Sequence, residues 1–369
     1  MVAALQQWPA DGIPRNPRGW LIRVGARRLI DIHRSDTART RRELHDAYLG
    51  GQDRPGTWAD RSSDRDDSLQ LLILCCHPCV TPGAAVALTL RAVAGLTTRQ
   101  IAAGLLLPES TVAQRITRAK KTLARQGARF ESAPAAQLPQ RVHAVRHVLH
   151  LTFTEGSSAT SGADLIDAGL TQEAIRLTEQ LHRALPRDPE TSGLLALMLL
   201  VDARSCSRTR DGVLVPLAEQ DRSRWNRARI DRAVGLLEEA LPKGPVGPFQ
   251  LQAAIAAVHA SAPAFTDTDW AQILLLYRML QGVAPSPAVD LGAAIALSEV
   301  DGPRAGLAVL EQLARRRPRD HRVLAARAHL LEKLGDPAAA DCFAQAAALT
   351  ASIPEQRYLH AKAAHARPE

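Results

Sequence analysis

Aromatic side chains make up only 4% of this 369-residue sequence, and nowhere do 18 apolar residues run together. With alanine abundant, the first scarcity favours closely packed helices over a sheet-rich fold. The second excludes an ordinary membrane-spanning helix. The most apolar run, Leu194 to Val201, has the length of a buried helix segment. No leader with a charged start and an apolar stretch opens the chain. The five cysteines, three of them crowded at 75, 76 and 79, do not form a disulfide framework. A cytoplasmic protein with reduced thiols is expected. No P-loop, dinucleotide fingerprint or H-E-x-x-H occurs, and no G-x-S-x-G elbow. No catalytic constellation and no cofactor are therefore expected, and the protein reads as a non-enzyme.

The charge is unevenly placed. Residues 1–130 hold 20 Lys+Arg against 11 Asp+Glu, whereas residues 131–369 hold 26 against 27. A basic first third joined to a neutral remainder points to a polyanion-binding module followed by a separate one.

Within the basic third, Thr97 to Arg129 reads TTRQIAAGLLLPESTVAQRITRAKKTLARQGAR. A short helix, a tight turn and a long basic helix succeed one another, the layout of a helix-turn-helix DNA reader. Thr97 and Gln100 have capping-box spacing. Ile101 and Leu105 form an inward i, i+4 pair. Pro108 suits a first helical position, where its missing N–H costs nothing. In the second helix Val112, Ile116, Ala119 and Leu123 share one stripe. Thr111, Gln114, Arg115, Arg118 and Arg125 share another, which can face a major groove while Lys120 and Lys121 lie near phosphates.

A second basic helix is expected over 16–34, capped by Asn16 and started by Pro17. Leu21, Val24 and Ile32 fall on one face, and Arg23, Arg27 and Arg34 on another. Residues 15–42 hold nine arginines against Asp31 and Asp36, enough to engage a duplex backbone. Trp20 starts the apolar face and reads as a core anchor. Residues 46–67, rich in Gly, Asp, Arg and Ser, read as a linker. Helices at 68–76 and 83–95 lead into the helix-turn-helix, and 131–140, with two prolines, forms a second linker.

From 141 onward helix follows helix. The pattern predicts 141–153, 164–185, 189–203, 224–241, 248–260, 269–281, 287–299, 303–315, 321–334, 337–350 and 355–366, separated by breaks with Pro or Gly. Antiparallel pairs at a period of roughly 34 residues mark a tetratricopeptide-like solenoid. Its best unit is 321–350, with small residues at Ala328, Ala340 and Ala347, a Gly-Asp-Pro turn and a buried Phe343. Such a stack offers a surface for a protein or small ligand.

Other clusters read more plainly. Cys75, Cys76, His77 and Cys79 invite a zinc reading, but adjacent cysteines on a helix point roughly 100° apart and no second cluster completes four ligands. A helix end before Pro78 with buried thiols is preferred, and no metal is expected. Glu155-Gly156 with Ser157, Ser158 and Ser161 reads as a helix-to-loop junction, and Asp301-Gly302-Pro303 as a turn. For Asp221-Arg222-Ser223-Arg224-Trp225, an ordered contact between the helical array and the DNA-reading part is preferred to a solvated cap.

Taken together, the first 130 residues resemble a bacterial RNA polymerase sigma factor of the extracytoplasmic-function class. Trp20-Leu21, Val24, Arg27, Arg28, Ile30-Asp31 and Arg34 match the helix that family uses on the −10 promoter element. Residues 82–126 match its region-4 reader of the −35 element. Cys75-Cys76-His77-Pro78, Phe153-Thr154-Glu155-Gly156, Asp221 to Trp225, Thr268-Asp269-Trp270 and Asp301-Gly302-Pro303 are similar to the subgroup with a C-terminal tetratricopeptide-like extension. Members carry a further helical stretch ahead of this sequence, of whose tail only Ala3 to Trp8 has a counterpart.

The resemblance implies an all-α protein with a partial region 2 (1–45), a linker (46–67), region 4 (68–130), a second linker (131–140) and a helical extension (141–369). It implies promoter DNA and RNA polymerase core as partners, an unidentified protein or small ligand at the extension, and no membrane. Arg23, Arg27, Arg28 and Arg34 would contact the −10 region, and Thr111, Gln114, Arg115, Arg118 and Lys121 the −35 region. The alternative is a helix-turn-helix regulator with a sensing helical domain that never binds polymerase. A solenoid scaffold with an incidental basic arm is disfavoured by the charge split.

Overall fold

The structure, a computed structural model, describes residues 69, 72–73, 75–77, 79–125 and 137–366. All lie in one compact unit, Ser63–Glu369. The expected basic helix of 16–34, the linker at 46–67 and residues 131–136 fall outside the described residues.

The described chain is all-α. Leu69, Leu72, Ile73 and Cys75 are helical and lead into α1 (Pro82–Ala92), which starts on a proline. Every residue of α1 from Ala84 to Leu90 is buried, because the helix is apolar all round and has neighbours on several sides. It ends three residues before the predicted 95, ahead of Gly95 at φ 69°. Next come α2 (Thr98–Leu105) and α3 (Glu109–Arg125). The long α4 (Leu138–Ser157) carries Pro139 in its first turn.

Ten more helices follow: α5 (Ala168–Ala184), α6 (Pro189–Asp202), α7 (Arg227–Ala240), α8 (Pro248–Ser261), α9 (Trp270–Val283), α10 (Pro287–Val300), α11 (Pro303–Arg316), α12 (His321–Lys333), α13 (Ala338–Leu349) and α14 (Ile353–His365). Each of the eleven helices predicted beyond residue 140 has its counterpart, displaced at its ends by a few residues. Their starts are set by local chemistry. Asp167, Asp188, Asn226, Asp269, Ser286 and Asp320 each accept a backbone N–H of the first turn, and a proline opens α6, α8, α10 and α11.

One hydrophobic core runs from Leu69 through α1–α3 and into α4–α8, as far as Ala260. Val145, Val148, Leu149 and Phe153 of α4 are the shared wall. Gly156 lets α4 cross α5 closely: a Cβ there would stand 2.7 Å from the Thr171 amide nitrogen. Smaller clusters serve α8–α10 and, around Phe343, α12–α14.

Two short pairings were not predicted. Thr209–Arg210 (β2) and Val213–Leu214 (β3) form an antiparallel hairpin. Its turn is Asp211-Gly212, both at positive φ (52° and 72°), which is the signature of a primed turn. Ser161–Gly162 (β1) pairs in parallel with Ala351–Ser352 (β4). The loop after α4 is thus hydrogen-bonded to the loop before α14, joining the two ends of the C-terminal helical array. No described helix is long and apolar enough to cross a membrane.

Candidate nucleic-acid interface

The helix-turn-helix is built by interactions its own sequence supplies. The Thr97 hydroxyl accepts the Gln100 N–H at 3.2 Å, and Gln100 Oε1 accepts the Thr97 N–H at 2.9 Å, closing the predicted capping box. Thr97→Ala should therefore cost about 1 kcal/mol of stability, read as a lower urea midpoint at unchanged slope. Ile101 is buried, and Leu105 packs against the core from the edge. The chain turns at Leu106, which takes the left-handed conformation at φ 55°. Pro108 stands one residue before the helix, not in it, and its carbonyl accepts the N–H groups of Thr111 and Val112.

In α3 the two stripes separate as the sequence pattern requires. Val112, Ile116 and Ala119 are buried, and Leu123 packs on the same core. Gln114, Arg118, Lys120, Lys121 and Arg125 are exposed. Thr111 and Arg115 are partly covered, and the Arg115 guanidinium lies over Gly83 of α1, where an added Cβ would come within 3.1 Å of it. Glu109 is the single acid of α3 against five basic residues. None of those five forms an ion pair among the described residues. The long α4 packs on α1 and α2. A solvated, unpaired row of Gln and Arg on a helix of this length has the reach and donor set to enter a major groove and meet phosphates. Arg23, Arg27, Arg28 and Arg34 lie outside the described residues.

A link that sequence reading missed joins this reader to the array behind it. Glu155 is 5% exposed. Its Oε1 accepts Gln100 Nε2 at 3.1 Å, the Thr160 N–H at 3.3 Å and the Thr160 hydroxyl at 3.2 Å. The capping-box glutamine of α2 is thereby held by the last turn of α4. Burial pushes the Glu155 carboxyl up, against these donors, which pull it down.

A carboxyl raised on folding keeps its proton to higher pH in the native state than in the unfolded one. Stability from this group falls as pH rises from the ordinary carboxylate range through the raised value. Glu155→Gln should then flatten that part of the stability–pH curve. Glu155→Ala, which takes the acceptor from the part-buried Gln100 amide and the Thr160 N–H, should cost about 1 kcal/mol. Urea melts from pH 4 to pH 8 read both.

Of the clustered thiols Cys76 is buried, and Cys75 and Cys79 are partly covered. Burial pushes the Cys76 thiol up to about 12 and also raises Cys75, which opposes thiolate ligation. The His77 ring accepts the Cys79 N–H at 3.2 Å. Asp221 to Trp225, expected to touch the DNA-reading part, makes its described contacts inside the C-terminal array. Arg222 donates to the carbonyls of His259 and Ala262 at the end of α8, and the Arg224 carbonyl accepts Cys206 Sγ. Arg222 stacks on the buried indole of Trp225, so the segment closes on Trp225 and its neighbours.

The fold and the open basic helix define a helix-turn-helix DNA-binding module, and residues 70–123 match the family described as Sigma-70, region 4. Residues 141–241 match a family of unknown function, DUF6596. Over 373 residues the chain is 39% identical to "Uncharacterized protein R00370" of Rhizobium meliloti (strain 1021), covering 100% of this chain and 88% of that protein. The chain belongs to the family of that protein and carries a sigma-70 region 4 module. No solved structure matches it.

Proposed function

We propose that the protein is a sigma factor of the extracytoplasmic-function class, which brings RNA polymerase core to its promoters. The observation that carries the reading is the solvated row Gln114, Arg118, Lys121 on α3 within a sigma-70 region 4 match. In this reading Gln114, Arg115 and Arg118 read base edges of the −35 element, and Thr111 and Lys121 hold its phosphates. Arg23, Arg27, Arg28 and Arg34 contact the −10 element. The chain makes no bonds itself: it supplies promoter choice in the cytoplasm, and the polymerase does the chemistry.

Residues 1–45 act as a partial region 2, 68–130 as region 4 and 141–369 as a tetratricopeptide-like regulatory extension. Helix starts at Trp270, Pro303 and Ala338, spaced near the roughly 34-residue repeat of that architecture, support the last assignment. The extension then takes a protein or small ligand as its signal.

The deciding experiment is a pull-down of core polymerase followed by run-off transcription from promoters selected by the full chain. Promoter-dependent transcripts are expected. Specific duplex binding without polymerase capture would instead establish a helix-turn-helix regulator.

A further inference from the structure

Residues 311–322, where α11 ends and α12 begins, read EQLARRRPRDHR. Five arginines fall within eight positions, Arg315, Arg316, Arg317, Arg319 and Arg322, against Asp320 and Glu311. The rest of the helical array does not share this excess: 131–369 holds 26 Lys+Arg against 27 Asp+Glu.

Asp320 is already occupied. Its carboxylate accepts the Arg322 N–H at 3.2 Å, capping α12, and pairs with Arg317 Nε at 3.4 Å and Arg322 Nε at 3.3 Å. His321 turns to Glu355, 3.3 Å away. Arg315, Arg316 and Arg319 are exposed and form no ion pair among the described residues, and neither does Glu311, one turn ahead of Arg315. The corner is firm. The Arg317 N–H donates to the Leu313 carbonyl at 2.9 Å and the Asp320 N–H to the Arg317 carbonyl at 3.2 Å, and Pro318 fixes φ between them. Three free guanidiniums are therefore held on one short turn.

Helix stability explains only part of this. Cations suit the carbonyl end of α11, where Arg315 and Arg316 stand, but Arg319, His321 and Arg322 crowd the N–H end of α12, whose first turn has no acid. Guanidiniums whose neighbouring acid is spent suit a partner with repeated negative charges, and they pair with phosphate oxygens through two parallel N–H bonds. No Phe, Tyr or Trp stands among 315–322 to stack a base, so the chemistry fits a backbone rather than an unpaired strand.

We propose that the α11–α12 corner is a second DNA contact, in which Arg315, Arg316 and Arg319 hold phosphates of the duplex outside the segment read by α3. It presupposes that α3 reads DNA, as proposed for the chain. Three phosphates alone hold a duplex weakly, but a chain already placed by α3 presents the corner at high effective concentration. The contact is blind to sequence and adds salt-dependent affinity, not promoter choice.

The test is anisotropy with the full chain and two duplexes built on one selected site, one limited to the sequence that α3 needs and one extended by about two helical turns on each side. Arg315→Gln with Arg316→Gln and Arg319→Gln should weaken binding to the extended duplex and lower its salt slope by about 2.7, three phosphates at about 0.9 each. Binding to the short duplex should not change, and the variant should melt like the parent, because all three side chains are exposed. An unchanged slope on the extended duplex, with the short duplex still bound, overturns the proposal and leaves the α3 reading standing. So does capture of polyglutamate through these arginines without any effect on the extended duplex, which would assign an acidic protein as the partner. If the parent chain binds neither duplex, the α3 reading fails and this contact falls with it.

Discussion

Phe343→Ala is expected to destabilise the C-terminal helices by about 3–5 kcal/mol, the range for emptying an aromatic site in a closed core. Phe343 is 0% exposed and stands in a cluster with Leu324, Leu331, Leu359 and Ala363. The His329 ring meets it edge-on at 4.9 Å, and Lys362 Nζ lies 5.7 Å above its face. Helices lined mostly by alanine cannot close over the void, because their backbones already approach closely.

That cluster is separate from the core shared by α1–α8, so the loss should appear as an early transition in which α12–α14 melt before the rest. Calorimetry of the full chain reads it, and a single transition lowered as a unit would show that the β1–β4 pairing transmits stability across the array. A loss below 1 kcal/mol would mean that the packing around Phe343 is not the packing described.

The residues that were legible in the sequence are those whose reasons are local. Thr97 and Gln100 cap a helix across three positions, and Val112, Ile116 and Ala119 bury one stripe of the next; spacing alone fixes both. The cap residues and prolines that start α5–α14 work the same way. The Asp211-Gly212 hairpin carried an equally local signal, a two-residue turn needing positive φ twice, but its two-residue flanks, Thr209–Arg210 and Val213–Leu214, lack the alternating apolar pattern of a strand pair.

Contacts between distant segments were not legible. Gln100 and Glu155 are 55 residues apart, and nothing in either helix's periodicity names the other. The Phe-Thr-Glu-Gly motif stood out as a pattern, but its reasons are tertiary: Glu155 holds the cap of α2, and Gly156 admits Thr171. The same holds for Arg115, which periodicity places on the exposed stripe and α1 partly covers.

Reversing two charges on α3, Arg118→Glu with Lys121→Glu, should lower duplex affinity by about 100- to 1000-fold at low salt while leaving the fold intact. Both side chains are exposed and lie three residues apart on the open face. Substitutions at such positions usually change stability by no more than about 0.5 kcal/mol, so the thermal melt serves as the control. The loss has two parts. A base-edge contact from Arg118 is worth about 1–3 kcal/mol and bears on sequence preference. In the proposed reading Lys121 neutralises a phosphate, so its removal should weaken all sequences alike and lower the salt slope by about one. Each new carboxylate adds repulsion from the backbone it faces.

Anisotropy titrations at several salt concentrations separate these parts. Arg118→Ala alone should flatten discrimination between a selected and a scrambled duplex, and Lys121→Ala alone should reduce both affinities and the slope. If the double reversal bound as tightly as the parent chain, α3 would not be the reading helix. The affinity would then have to come from the basic residues of 15–42, and region 4 would be a packing module rather than a DNA reader.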